Sequence, residues 1–163
     1  MEKVSGRKTC QNKKSAEIQM IYILDTDLFT FTERRDSADH LRLRSRIAQL
    51  PPDDELVTSI ITYEEQTRGW LAYAAKSRQL DHQVKAYARL KRHLEAYMNI
   101  SVLDFDPAAA QTFQTLTSQK LRVGTSDLKI ASIALANNAT LLSRNLGDFQ
   151  KIPRLRVEDW TRD

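Results

Sequence analysis

The chain has 163 residues, 41% of them hydrophobic and 28% charged, which suits one globular domain with a real core and excludes a disordered or fibrous chain. No apolar run approaches the roughly 18 residues of a membrane span, and the polar N-terminus lacks the apolar centre of a signal peptide, so the expected location is the cytoplasm, with no membrane partner. A single cysteine, Cys10, precludes an intrachain disulfide, and His40, His82 and His93 are too scattered for a zinc site.

The formal charge of +4 is unevenly spread. Residues 1–19 carry Lys3, Arg7, Lys8, Lys13 and Lys14 against Glu2 and Glu17, a net +3 that leaves +1 for the rest. This stretch has few apolar residues and no periodicity, so it reads as a disordered basic extension. Met20 falls directly before the first strand and is the expected natural start. Residues 20–160 then read as one domain, without repeat, low-complexity tract or linker.

Residues 20–24 form the first predicted strand, and 28–33 and 38–49 two short helices. Pro51, Pro52, Asp53 and Asp54 make a turn. Residues 56–61, β-branched and apolar, form the second strand. Thr62 is the expected cap of a long helix to about Ser77, with Tyr63, Trp70, Leu71 and Ala74 as its apolar set. In the next helix Leu80, Val84, Tyr87, Leu90, Leu94 and Tyr97 recur at helical spacing.

Residues 100–103 are a third strand, and Pro107 opens a helix to about Leu121. After Gly124, Thr125 or Ser126 is placed to cap a helix through Leu135, stopped by Asn137 and Asn138. Thr140–Leu142 is a fourth strand, and the residues around Val157 a fifth. Strands alternating with helices predict an α/β fold whose parallel sheet is covered on both faces. In such sheets ligands bind at the carboxyl ends of the strands.

Polar residues gather at those ends. Asp25 follows the first strand. Thr62, Glu64 and Glu65 follow the second. Asp127 opens the helix after Gly124. Ser143, Arg144, Asn145 and Asp148 follow the fourth strand. Each acid alone is explained by a cap or by the helix dipole, worth about 0.3–1 kcal/mol. Together in one cleft they repel, and a divalent cation relieves that conflict. Oxygen donors without sulfur or imidazole suit Mg²⁺, or Mn²⁺, rather than zinc. Such a site fits phosphodiester hydrolysis.

The stretches "YILDTDLF", "SIITYEEQTRGW" and "VGTSDLKIASIALANNATLLSRNLGDFQKIPRLRVEDW" together resemble the PIN-domain ribonucleases, and more closely the VapC-type toxins of type II toxin–antitoxin pairs. The likeness runs from about Met20 to Trp160. It implies a three-layer α/β/α fold with a central parallel sheet of four to five strands. It also implies an Mg²⁺-dependent endoribonuclease acting as a toxin, with RNA as substrate, a cognate antitoxin and a homodimer.

Residue by residue, the resemblance selects Asp25 with Thr26, then Glu65 in Ile61-Thr62-x-x-Glu65-x-x-x-Gly69, then Asp127, then Ser143 and Asn145 before Phe149. Asp25, Glu65 and Asp127 are the implied metal ligands, with Asp148 as a further candidate. Asn145 replaces a frequent acid, and Asp27 a frequent Asn; Asp27 reads as an outer acid or an N-cap. Thr26 and Ser143 are the supporting hydroxyls.

Residues 68–92 hold Arg68, Lys76, Arg78, Lys85, Arg89, Lys91 and Arg92 against Asp81. Here Arg68, Arg78, Lys85 and Arg89 are candidate RNA contacts, with Trp70, Tyr73 and Tyr87 as stacking platforms; a solvated face and packing are the plain alternatives. Two other functions fit less well: a PIN nuclease of RNA processing, and a non-enzymatic binding module that keeps its acids only as caps. A phosphotransfer receiver domain lacks its expected lysine after a late strand.

Overall fold

The computed structural model describes residues 19–32 and 37–162. The expected N-terminal extension lies outside these residues except for Gln19, as does the end of the helix expected over 28–33. Five strands, β1 (Ile21–Leu24), β2 (Glu55–Ser59), β3 (Ser101–Leu103), β4 (Thr140–Leu142) and β5 (Arg156–Glu158), form one parallel sheet in the order β3-β2-β1-β4-β5. Leu24 stands opposite Thr58 of β2 and Leu142 of β4. The chain therefore leaves β1, β2 and β4 at nearly the same level, and its direction of travel across the sheet reverses at β1.

The helices are α1 (Thr26–Thr32), α2 (Ala38–Ala48), α3 (Ile60–Lys76), α4 (Leu80–Tyr97), α5 (Pro107–Ser118), α6 (Thr125–Ala136) and the short α7 (Leu146–Phe149). Alternation along the strands divides the interior in two. Ile23, Val57 and Leu141 face a core completed by Ala109, Leu116, Ile130, Ile133 and Phe149 of α5, α6 and α7. Leu24 and Leu142 face the other side, with Leu28, Phe29, Leu43 and Tyr97 of α1, α2 and α4. This is the expected three-layer arrangement, with five strands.

Several boundaries differ from expectation for local reasons. The second strand ends at Ser59, whose hydroxyl accepts the Thr62 amide at 3.1 Å. Ser59 is thus the cap and Thr62 lies in the first turn; Ile60 and Ile61 look like strand residues but open α3. Gly124, with no side-chain cap, precedes α6 in place of Thr125 or Ser126. Asn138, at φ 49°, ends α6 in the left-handed region that Asn tolerates. The single turn α7 was not expected from its sequence.

The face of α4 that turns inward could not be told from its spacing. Its inward residues are Ala86, His93 and Tyr97. Leu80, Val84, Tyr87 and Leu94, followed by Met98 at the C-cap, form an outward stripe at alternating four- and three-residue steps once Lys91 is counted. These five are 55–76% exposed. Leu71, of the apolar set of α3, is also exposed.

Candidate active site

Asp25 leaves β1 and its carbonyl accepts the Phe29 amide at 2.8 Å, starting α1. Its side chain is buried and takes two bonds. The Asp27 amide donates to Oδ1 at 3.3 Å, and the Ser143 hydroxyl donates to Oδ2. The capping explanation for Asp25 therefore holds, but it accounts for one oxygen only. Ser143 follows β4 and is itself fixed, because its amide donates to Glu158 of β5 at 3.0 Å. Its hydroxyl also accepts the Asn145 amide at 3.0 Å.

Glu65 lies one and a half turns into α3. The Thr26 hydroxyl donates to its Oε2 at 2.6 Å. Neighbouring Gln66 donates to the Thr26 carbonyl at 3.3 Å and accepts from the Tyr97 hydroxyl at 2.9 Å. The start of α1 is thus tied to α3 and α4 beside the cleft. Gln66 and Tyr97 were not identified from sequence, since their pairing depends on how α3 and α4 pack.

Asp127 sits in the first turn of α6. The Asn145 amide nitrogen lies 3.4 Å from Asp127 Oδ2 and 3.3 Å from Asp148 Oδ2. The structure thus brings Asp25, Thr26, Glu65, Asp127, Ser143, Asn145 and Asp148 to one end of the sheet. Glu64 instead turns outward to pair with Arg68.

The electrostatics record this gathering. Burial raises the Asp25 carboxyl to about 6; Ser143 and the Asp27 amide oppose the rise, while Asp127 and Asp27 add to it. Burial, with Glu65 and Asp148 nearby, also raises Asp127. The hydrogen bond from Lys151, 2.5 Å from Asp148 Oδ1, is the main influence holding Asp148 below the ordinary carboxylate range.

Repelling, partly desolvated carboxylates with an amide beside them are the donor chemistry of a hard divalent cation. Among the described residues no three His, Cys, Asp or Glu side chains already form a closed ligand set. Asp27 neither caps α1 with its side chain nor joins this cluster. Its carboxylate receives Nε and Nη2 of Arg144, both at 2.6 Å.

The basic residues singled out from sequence are not gathered at this site. Arg68 is paired with Glu64. Arg89 lies over the rings of Trp70 and Tyr73, at 5.6 and 5.4 Å from their centroids. Trp70 is partly buried and lies edge-on to Tyr73, whereas Tyr87 stands exposed. Arg78 lines an open hollow of about 360 Å³ at the α3–α4 turn, with Lys76 and His82. Lys85 is exposed on α4. At 1.5 Å per residue, the end of α3 is about 17 Å beyond Glu65.

A model of the PIN domain matches residues 22–155. Ribonuclease VapC1 of Haemophilus influenzae is 33% identical over 145 residues, covering 88% of this chain and all of that one. The tRNA(fMet)-specific endonuclease VapC of Shigella flexneri is 29% identical, covering 86% of this chain and 98% of its own. The VapBC-1 structure from nontypeable Haemophilus influenzae contains a chain that superposes with a TM-score of 0.67 at 30% identity, over 88% of this chain and all of that one. By fold, by the order of its motifs and by these matches, the chain belongs to the PIN-domain family, among its VapC members.

Proposed function

We propose that this chain is a divalent-metal-dependent endoribonuclease and the toxin of a type II toxin–antitoxin pair, with residues 20–160 as its single catalytic domain. The observation that carries the reading is the meeting of Asp25, Glu65, Asp127 and Asn145 at one end of the sheet, with Asp25 held by Ser143. Its relatives are named ribonucleases and an endonuclease.

Asp25 and Asp127 would hold Mg²⁺, or Mn²⁺, with Glu65 nearby and Asp148 as a further ligand. The bound ion supplies charge stabilisation at the scissile phosphate and a more acidic attacking water. Glu65 keeps one oxygen on Thr26 and takes the water's proton on the other. Ser143 orients Asp25. Asn145 orients the water and adds no charge. The leaving ribose oxygen takes a proton from solvent.

RNA is the proposed substrate, with Arg78 and Lys85 as backbone contacts outside the cleft, alongside Arg68 and Arg89, whose charges are already engaged. The first RNA to test is tRNA, the substrate in the name of the Shigella relative. A cognate antitoxin is the proposed protein partner, because structural neighbours are VapBC complexes, and the exposed apolar stripe of α4 supports a helical contact. A homodimer and a cytoplasmic location complete the proposal. Among the described residues no helix is long and apolar enough to cross a membrane.

The test is induced expression of the wild type and Asp25→Ala, with growth followed and total RNA resolved on a gel. Arrest with new RNA fragments, both lost in the variant at equal protein level, supports the proposal. Arrest by both proteins alike assigns the protein to the non-enzymatic class. Cleavage without arrest assigns it to RNA processing.

A further inference from the structure

Two turns form the mouth of the cleft, Asp25-Thr26-Asp27 after β1 and Ser143-Arg144-Asn145 after β4. They are joined twice. The inner join is the buried bond from Ser143 to Asp25. The outer join is the two-pronged contact of Arg144 with Asp27. Within the turns, the Asp27 amide reaches Asp25 and the Asn145 amide reaches Ser143, so bonds and backbone close into a ring.

The roots of the turns are held by the Asp25 amide on the Leu142 carbonyl at 3.0 Å and by the Ser143 bond; the bidentate contact removes the freedom left at their tips. Asn145 gains most, because its side-chain contacts to Asp127 and Asp148, at 3.4 and 3.3 Å, are at the long end of the hydrogen-bond range and hold it only weakly. The guanidinium is also poorly placed to serve as an RNA phosphate receptor. Asp27 already compensates its charge, and Asp159 and Asp39 add to the negative field around it.

We propose that Asp27 and Arg144 are positioning residues, a clamp across the cleft mouth that fixes Asn145 relative to Asp25. The functional half of this inference rests on the ribonuclease reading; the geometric half does not. Both side chains are partly exposed, and an ion pair of that kind contributes little to global stability, so the variants will fold.

The experiment compares Asp27→Asn, Arg144→Gln, Arg144→Lys and the double variant Asp27→Asn/Arg144→Gln by thermal melting, amide NMR and steady-state RNA cleavage. The metal-free NMR spectra should shift amides of both turns in each single variant, with melting nearly unchanged. The kcat should fall about 10–100-fold, the range for groups that orient a metal site, with KM little altered. The double variant should be no worse than either single one. Lysine should not rescue, since it lacks the planar fork.

Raised KM with kcat intact would make Arg144 a phosphate contact and overturn the clamp. So would multiplying losses in the double variant, or shifts confined to the mutated turn. If the wild type cleaves no RNA, the ribonuclease reading fails by itself. The amide shifts then still decide the clamp: crossing between turns supports it, and confinement to one turn rejects it.

Discussion

The Ser143 hydroxyl donates to Asp25 Oδ2 and joins the ends of β1 and β4, which are neighbours in the sheet yet 118 residues apart in the chain. That bond stabilises the ionised form of a carboxylate that burial holds near pH 6. Removing it in Ser143→Ala will raise the Asp25 pKa further. Cleavage at pH 7 should fall about 10-fold or more, and the acid limb of the pH–rate profile should move to higher pH. An unmoved limb would detach Ser143 from the ionisation of Asp25.

Asp25 also weakens the metal-free fold. Its folded pKa, about 6, lies above the ordinary value of 3.8. The protonated side chain is therefore the one that suits the fold. Its contribution is complete below about pH 3.8 and is lost as pH rises through 6. A shift of two units corresponds to about 2–3 kcal/mol. Asp25→Asn, free of the charge, should be more stable than metal-free wild type at pH 7.5 by an amount of this order, and the gap should close near pH 4. Denaturant melts with chelator at the two pH values test this.

Gly69 occupies a family motif position, yet a Cβ built there meets nothing within 4 Å and its φ is not positive. It lies inside α3, where glycine costs up to about 1 kcal/mol relative to alanine. Gly69→Ala should raise stability by about 0.5–1 kcal/mol and leave RNA cleavage unchanged. Loss of cleavage in a stable variant would show that substrate or partner passes close to this backbone.

The α3–α4 hairpin tests the RNA proposal separately from the chemistry. Arg78→Ala with Lys85→Ala should weaken RNA binding and lower the slope of log affinity against log salt by about 1–2. The kcat at saturating RNA should stay as it was. Equal slopes for variant and wild type would remove the hairpin from the RNA path.

The first four strands could be read because each is built on short apolar runs, whereas β5, Arg156–Glu158, offers only Val157; the acids stood out because each follows such a run or opens a helix. Ser59 was passed over because Ile60 and Ile61 continue the strand pattern; only the cap bond to Thr62 marks the boundary. On α4, periodicity shows which residues share a face, not whether that face turns inward. Leu80 and Val84 repeat at helical spacing, and only the structure shows that they lie outside. The partnership of Asp27 with Arg144 left no local trace, since its halves are 117 residues apart and either charge alone looks like ordinary surface.

The central place of β1 has a consequence for the order in which a newly made chain becomes dangerous to its host. Asp25, Glu65 and Asp127 are synthesised before β4, but β1 has no neighbour on that side until Thr140–Leu142 arrives. Ser143 and Asn145 follow directly. Any chain stopped short of β4 carries the three acids without Ser143, which holds Asp25, and without Asn145 beside Asp127. Long-range parallel pairing of this kind also forms slowly. Competence thus waits on residues 140–145, which close the sheet beside β1 and bring the last polar groups to the cleft.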